Sequence, residues 1–144
     1  MRLASLSEPS WQMLGIKLED LTDGFARVSL NTKPEFLNFV NTVHGGIIVT
    51  LADSAFGYAL NSIHFPTVAS QLNIHFLNPT SPGEQLVAES RVIKAGNRTM
   101  MAEVDVKTSE GKLVAKATGT GIPLDKELDK LSSHKRPKTA DGQK

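Results

Sequence analysis

The chain has 144 residues, no cysteine and a formal net charge of +1. These values exclude a disulfide scaffold, cysteine-held zinc and a cysteine nucleophile, and they give no global pull towards nucleic acid or a membrane. The length fits one domain with one hydrophobic core, and 40% apolar beside 22% charged residues is an ordinary globular balance.

Residues 1–12 read as a flexible lead, without the long apolar run and cleavage site of a secretory signal. Apolar residues alternate over short spans from Met13 to Leu21 and from Gly24 to Asn31, where Ala26, Val28 and Leu30 share a face. Asp23-Gly24 between the spans is a hairpin signal, which predicts two antiparallel strands. "NTKPEFLNFVNT" follows as a polar loop. A helix is predicted from about Gly45 to about Asn61, with Ile47, Leu51, Ala55 and Tyr58 in one stripe and Ile48, Ala52, Phe56 and Ala59 in another. A helix apolar this far round is wrapped by other structure. No stretch is expected to reach membrane-spanning length.

After Pro66 the period changes to two. "TVASQLNIHFL" reads as a strand and "NPTSPGE" as a turn. "QLVAESRVI", "RTMMAEVDVKT" and "KLVAKATGTGI" are three further strands, joined at "KAGN" and "SEG". The order β-β-α-β-β-β-β does not alternate strands with helices. It therefore implies an α+β fold, one long helix covered by one antiparallel sheet. The domain is expected to span residues 13–123. Residues 124–144 are polar and charged and are expected to form a disordered tail.

Charge placement is the most informative feature. No Lys or Arg occurs between Lys33 and Arg91, and Asp53 is the only acid between Glu35 and Glu84. A carboxylate on an apolar helix is costly without compensation. Positions three and four away hold Val49, Thr50, Phe56 and Gly57, none of them a cation. Asp53 either meets solvent or a buried polar group, or is a desolvated base or nucleophile in a cleft. Gly45 and Gly46 bear on that choice. First-turn N–H groups are unpaired, carry the positive end of the helix dipole and can hold an oxyanion. Yet Gly45 and Asp53 are eight residues apart, roughly 12 Å along a helix axis. Both can act on one carbonyl only if they come from two copies of the helix, packed antiparallel across a two-fold axis. An obligate dimer with two interface sites follows.

His44, His64, His75 and His134 show no close pair of the kind zinc requires, so no metal is expected. No G-x-S-x-G occurs, and Ser54 beside Asp53 reads as helix packing.

"HGGIIVTLADSAFGYALNS", the "FLNPTSPGEQL" turn and the element order resemble the hotdog-fold acyl-CoA thioesterases. The likeness is to the phenylacetate-degradation (PaaI) type of the 4-hydroxybenzoyl-CoA thioesterase superfamily, over about Met13 to Ile122. That resemblance implies a cytoplasmic hydrolase of acyl-CoA thioesters, built from dimers paired into tetramers, with no cofactor beyond the coenzyme A of its substrate. It implies that the Gly45 N–H polarises the thioester carbonyl and that Asp53 of the facing subunit is nucleophile or general base. It places Asn38 near the attacking water or thioester and His44 as a support of the loop. Gly46, Ser70 or Gln71, and Gly96, Arg98 and Thr99 of the "KAGNRT" hairpin would contact substrate, the hairpin at the CoA nucleotide. Arg98 could pair a phosphate or be a solvated turn residue. Phe36, Phe39, Phe56, Tyr58 and Phe76 are either core or the lining of an aromatic or medium-chain acyl pocket. Two alternatives stand beside this: a hotdog-fold hydratase or dehydratase, and an acyl-CoA binding module without turnover.

Overall fold

The computed structural model describes residues 8–124. The elements in chain order are α1 (Pro9–Leu14), β1 (Lys17–Thr22), β2 (Phe25–Asn31), a 3-10 turn (Pro34–Phe36), α2 (Gly45–Ile63), β3 (Thr67–Phe76), β4 (Gln85–Ala95), β5 (Met100–Thr108) and β6 (Leu113–Pro123). The six strands form one antiparallel sheet in the order β1-β2-β4-β5-β6-β3, and α2 packs chiefly against β2, β4 and β5. The expected order and the α+β architecture hold.

The sheet's two faces follow from its period of two. In one row, Val28 pairs Ala88, Ala88 pairs Val106 and Val106 pairs Ala115, all buried against α2. The adjacent row on the other face is Arg27, Glu89, Asp105 and Lys116, with Arg27 and Lys116 pairing the acids at 3.6 and 3.2 Å. Small side chains on β4 and β6 leave a trough for the helix. At Gly119 an added Cβ would stand 2.9 Å from the Phe56 ring and 2.7 Å from the Gln71 carbonyl, so a side chain there has no room.

Three expectations are corrected. The lead is not free up to residue 12: Pro9 starts a helical turn that Gly15 ends at φ 86°, and Trp11 within it is buried. Its remaining part, residues 1–7, lies outside the described residues, as do residues 125–144 of the expected tail. The first strand begins at Lys17, not Met13, because Met13 and Leu14 complete that turn. The third correction concerns α2. Its 19 residues and mean hydropathy of 1.2 reach, by length and composition alone, what a membrane span needs. Its apolarity serves the core, where Leu51, Ala52, Ala55, Phe56, Ala59 and Leu60 are closed off from solvent.

Candidate functional site

α2 carries two reactive features, one at its start and one at its middle. At the start, His44 is the cap. Its Nδ1 accepts from the Gly46 N–H at 2.8 Å, and its carbonyl accepts from the Ile47 and Ile48 N–H groups at 3.0 and 3.3 Å. The Gly45 N–H has no acceptor among the described residues. The Phe76 ring closes over this glycine, 3.3 Å from where a Cβ would stand. A cavity of about 270 Å³ opens here, lined by Asn38, Gly45, Ile48 and Phe76 among others.

Asn38 organises the loop that delivers this helix start. Its Oδ1 accepts from the Val40 and Thr42 N–H groups at 3.1 Å each, and its Nδ2 donates to Thr42 Oγ1 at 2.9 Å. The amide thus closes an Asx-type turn in which Asn41 takes a φ of 61°. The Asn38 side chain lines the cavity with its hydrogen bonds turned back into its own loop.

Asp53 lies further along α2 in a larger cavity of about 390 Å³, with Thr50, Ser54, Gly57, Tyr58, Asn61 and Trp11 among its walls. The residue is exposed in the single chain, yet no donor or cation reaches its carboxylate among the described residues. Partial burial without a compensating partner pushes its pKa up. Gly45 and Asp53 line different cavities of one chain, as their spacing on the helix requires.

Ser70, Gln71, Gly96, Arg98 and Thr99 line neither cavity. Ser70 sits at a bulge of β3 between Ala69 and Gln71, with its Oγ 2.8 Å from Thr120 Oγ1. Gln71 is exposed on the same edge strand. Gly96 and Thr99 close the β4–β5 hairpin through an N–H to carbonyl bond of 3.2 Å, and a Cβ at Gly96 would meet that carbonyl at 2.7 Å. Arg98 is exposed at the tip, with no ion pair among the described residues. Of the aromatic residues, Phe56 is core, Phe36 and Tyr58 are buried, and Phe39 is almost wholly exposed at 98%. His64 caps the C-terminus of α2 and is exposed. Among the described residues no group of three or more His, Asp or Glu is placed to hold a metal; His134 lies outside them.

Two site residues were not anticipated. Trp11 donates from Nε1 to Ser54 Oγ at 3.0 Å and stacks on Tyr58 with centroids 4.5 Å apart. Asn61 clamps the end of α2 to the start of β3, donating to Thr67 O at 3.0 Å and accepting from Thr67 N at 2.8 Å. The helix holding Trp11 did leave a signal, a proline at its first position and a glycine after its last.

A family model described as the Thioesterase superfamily matches residues 40–115. A protein of Archaeoglobus fulgidus described as a candidate esterase is 38% identical over 122 residues, 85% of this chain and 79% of its own. Acyl-coenzyme A thioesterase PaaI of Escherichia coli is 36% identical over 102 residues, 71% of this chain and 73% of its own. The solved structure of the Escherichia coli PaaI protein, from the phenylacetic acid degradation operon, matches with a TM-score of 0.80 over 82% of this chain and 86% of that one. A hypothetical thioesterase of Streptococcus pneumoniae, solved with coenzyme A, matches with a TM-score of 0.71 at 28% identity, over 74% of this chain and 84% of that one.

Proposed function

Because the chain belongs to the thioesterase superfamily and has the hotdog fold, we propose that it hydrolyses acyl-CoA thioesters to the free acid and CoA, at sites shared between two subunits. One observation carries the reading: a single helix bears, among the described residues, an N–H without an acceptor at Gly45 and a carboxylate without a donor at Asp53. The first can hold the oxyanion of a thioester under attack. The second can attack the carbonyl or take a proton from the attacking water. A thioester is reactive enough for these two groups to suffice.

The dimer supplies the missing proximity. β3 is a ten-residue strand at the sheet edge, with Val68, Phe76 and the following Leu77 about half exposed. Two copies laid edge to edge across a two-fold axis continue the sheet, set the two α2 helices antiparallel and bring each Gly45 towards the other chain's Asp53. Pairing of such dimers into a tetramer belongs to the same reading.

In this reading His44 fixes the helix start that aims the Gly45 N–H, and Gly46 leaves the approach open. Asn38 sets the loop behind them. Ser70, with Gln71 beside it, serves the substrate from the β3 bulge. The Gly96–Thr99 hairpin meets the CoA nucleotide, where the exposed Arg98 guanidinium suits a phosphate. Coenzyme A is part of the substrate, and the chemistry needs no cofactor. A cytoplasmic location belongs to the same reading. Aromatic or medium-chain acyl groups are the expected substrates.

The test is thiol release from phenylacetyl-, benzoyl-, hexanoyl- and crotonyl-CoA, with Asp53→Asn alongside. Turnover by the natural chain that disappears in the variant, with assembly intact, is the expected result. Hydration of crotonyl-CoA without thiol release would establish the hydratase instead. Tight binding without either reaction would establish the binding module.

A further inference from the structure

We propose that the stacked Trp11–Tyr58 pair is the end wall of the acyl pocket and sets the longest acyl chain accepted. This rests on the thioesterase reading above and adds the element that discriminates among substrates. Trp11 is the one tryptophan in the chain. It stands on α1, outside the sheet, and is buried while lining the cavity that holds Asp53.

The wall is pinned at two points. The indole N–H is spent on Ser54 Oγ at 3.0 Å, and Ser54 Oγ donates onward to the Thr50 carbonyl at 2.7 Å. The ring lies on Tyr58 at 4.5 Å with 29° between the planes. Both anchor residues belong to α2, one of them next to Asp53 in sequence, so the wall keeps its position relative to the carboxylate.

The chemistry of the cavity favours the acyl end of the substrate over the pantetheine end. The polar side chains that α2 and β3 contribute are already committed. Thr50 Oγ1 donates to the Gly46 carbonyl at 2.9 Å, Ser54 is held as above, Asn61 is held by Gly57 and Thr67, and Thr67 Oγ1 donates to the His64 carbonyl at 2.7 Å. What they leave for a ligand is apolar surface from Trp11, Tyr58, Phe65 and Pro66, beside the Asp53 carboxylate and, at the start of α1, Glu8, to which Ser10 donates at 3.5 Å. The amide carbonyls of pantetheine would find few donors there, whereas a hydrocarbon or phenyl group asks for no hydrogen bond. The volume, about 390 Å³, is near the lower end of ligand pockets, so a fixed wall limits length.

The experiment compares kcat/KM for hexanoyl-, octanoyl-, decanoyl-, dodecanoyl- and phenylacetyl-CoA in the natural chain, Trp11→Phe, Trp11→Ala and Ser10→Phe. Ser10 is exposed on α1 and lines the same cavity, so its substitution narrows the space without touching the core. Trp11→Ala is expected to raise the long-to-short ratio about fourfold for each methylene newly admitted. Trp11→Phe, which can stack on Tyr58 but loses the bond to Ser54 and part of the bulk, is expected to fall between the natural chain and Trp11→Ala, and Ser10→Phe to shift the profile towards shorter chains. Should Trp11→Ala fail to fold, Ser10→Phe decides alone. A natural chain that turns over substrate with a length profile unmoved by either variant overturns the wall and leaves the thioesterase reading standing. Absence of thiol release from every substrate in the natural chain removes both.

Discussion

In the proposed reading Asp53 works against stability while it serves the chemistry. Its folded-state pKa is raised by burial, so the folded chain holds the carboxyl proton more tightly than the unfolded chain does. Above that raised pKa the ionised group works against the fold. Below the ordinary carboxylate value both states are protonated and the penalty is gone. Asp53→Asn is therefore expected to raise Tm near neutrality, with the gain fading in mild acid; paired thermal melts at the two pH values check this. The acidic limb of kcat/KM in the natural chain is expected above the usual carboxylate range, since a base or nucleophile must be ionised to act. Gly45 allows a complementary test. His44 before it has φ −57° and ψ 134°, the extended geometry that residues preceding proline adopt. Gly45→Pro should thus remove the N–H at a helix position that tolerates proline, with the Phe76 ring giving way by a few tenths of an ångström. A fall in kcat of about a hundredfold or more is expected, with the far-ultraviolet dichroism of the natural chain.

At the scale of elements, α2 and the strands were legible because each has a long periodic pattern and its own turn chemistry. The alternation of Met100, Ala102, Val104 and Val106 with Met101, Glu103 and Asp105 matches their burial on β5. α1 was not legible in this way. Its single turn gains its place from a tryptophan whose partners, Ser54 and Tyr58, lie more than forty residues on. Asp53 could be found by its isolation in the charge pattern. The inward turn of the Asn38 amide could not, since an Asx turn and a solvated amide look alike in sequence. Nor does sequence reveal why β6 has glycine at position 119, where Phe56 of α2 seats against the strand. Gly119→Ala forces the ring or the backbone of β3 to move. It is expected to cost about 1–3 kcal/mol of stability, as other overpacked sites do, measured by urea denaturation.

At the scale of the whole molecule, the proposed reading makes catalysis a property of two chains, because Gly45 and Asp53 line different cavities of one. Mixing Asp53→Asn with Gly45→Pro subunits, each inactive alone, is expected to restore about a quarter of natural turnover. Half of the random dimers would be mixed, and each would have one intact site. No recovery after subunit exchange would mean that both groups act within one chain. The strand order has a different consequence, one of timing. β3 leaves the ribosome before β4, β5 and β6, yet among the described residues its one strand partner is β6, the last of the six. Until that strand arrives, both edges of β3 are open. Its ten residues then offer main-chain donors and acceptors to any neighbouring nascent chain. A sheet that seats its third strand last makes the end of synthesis the safest moment to begin closing, and the interval before it the one in which the chain most needs solitude.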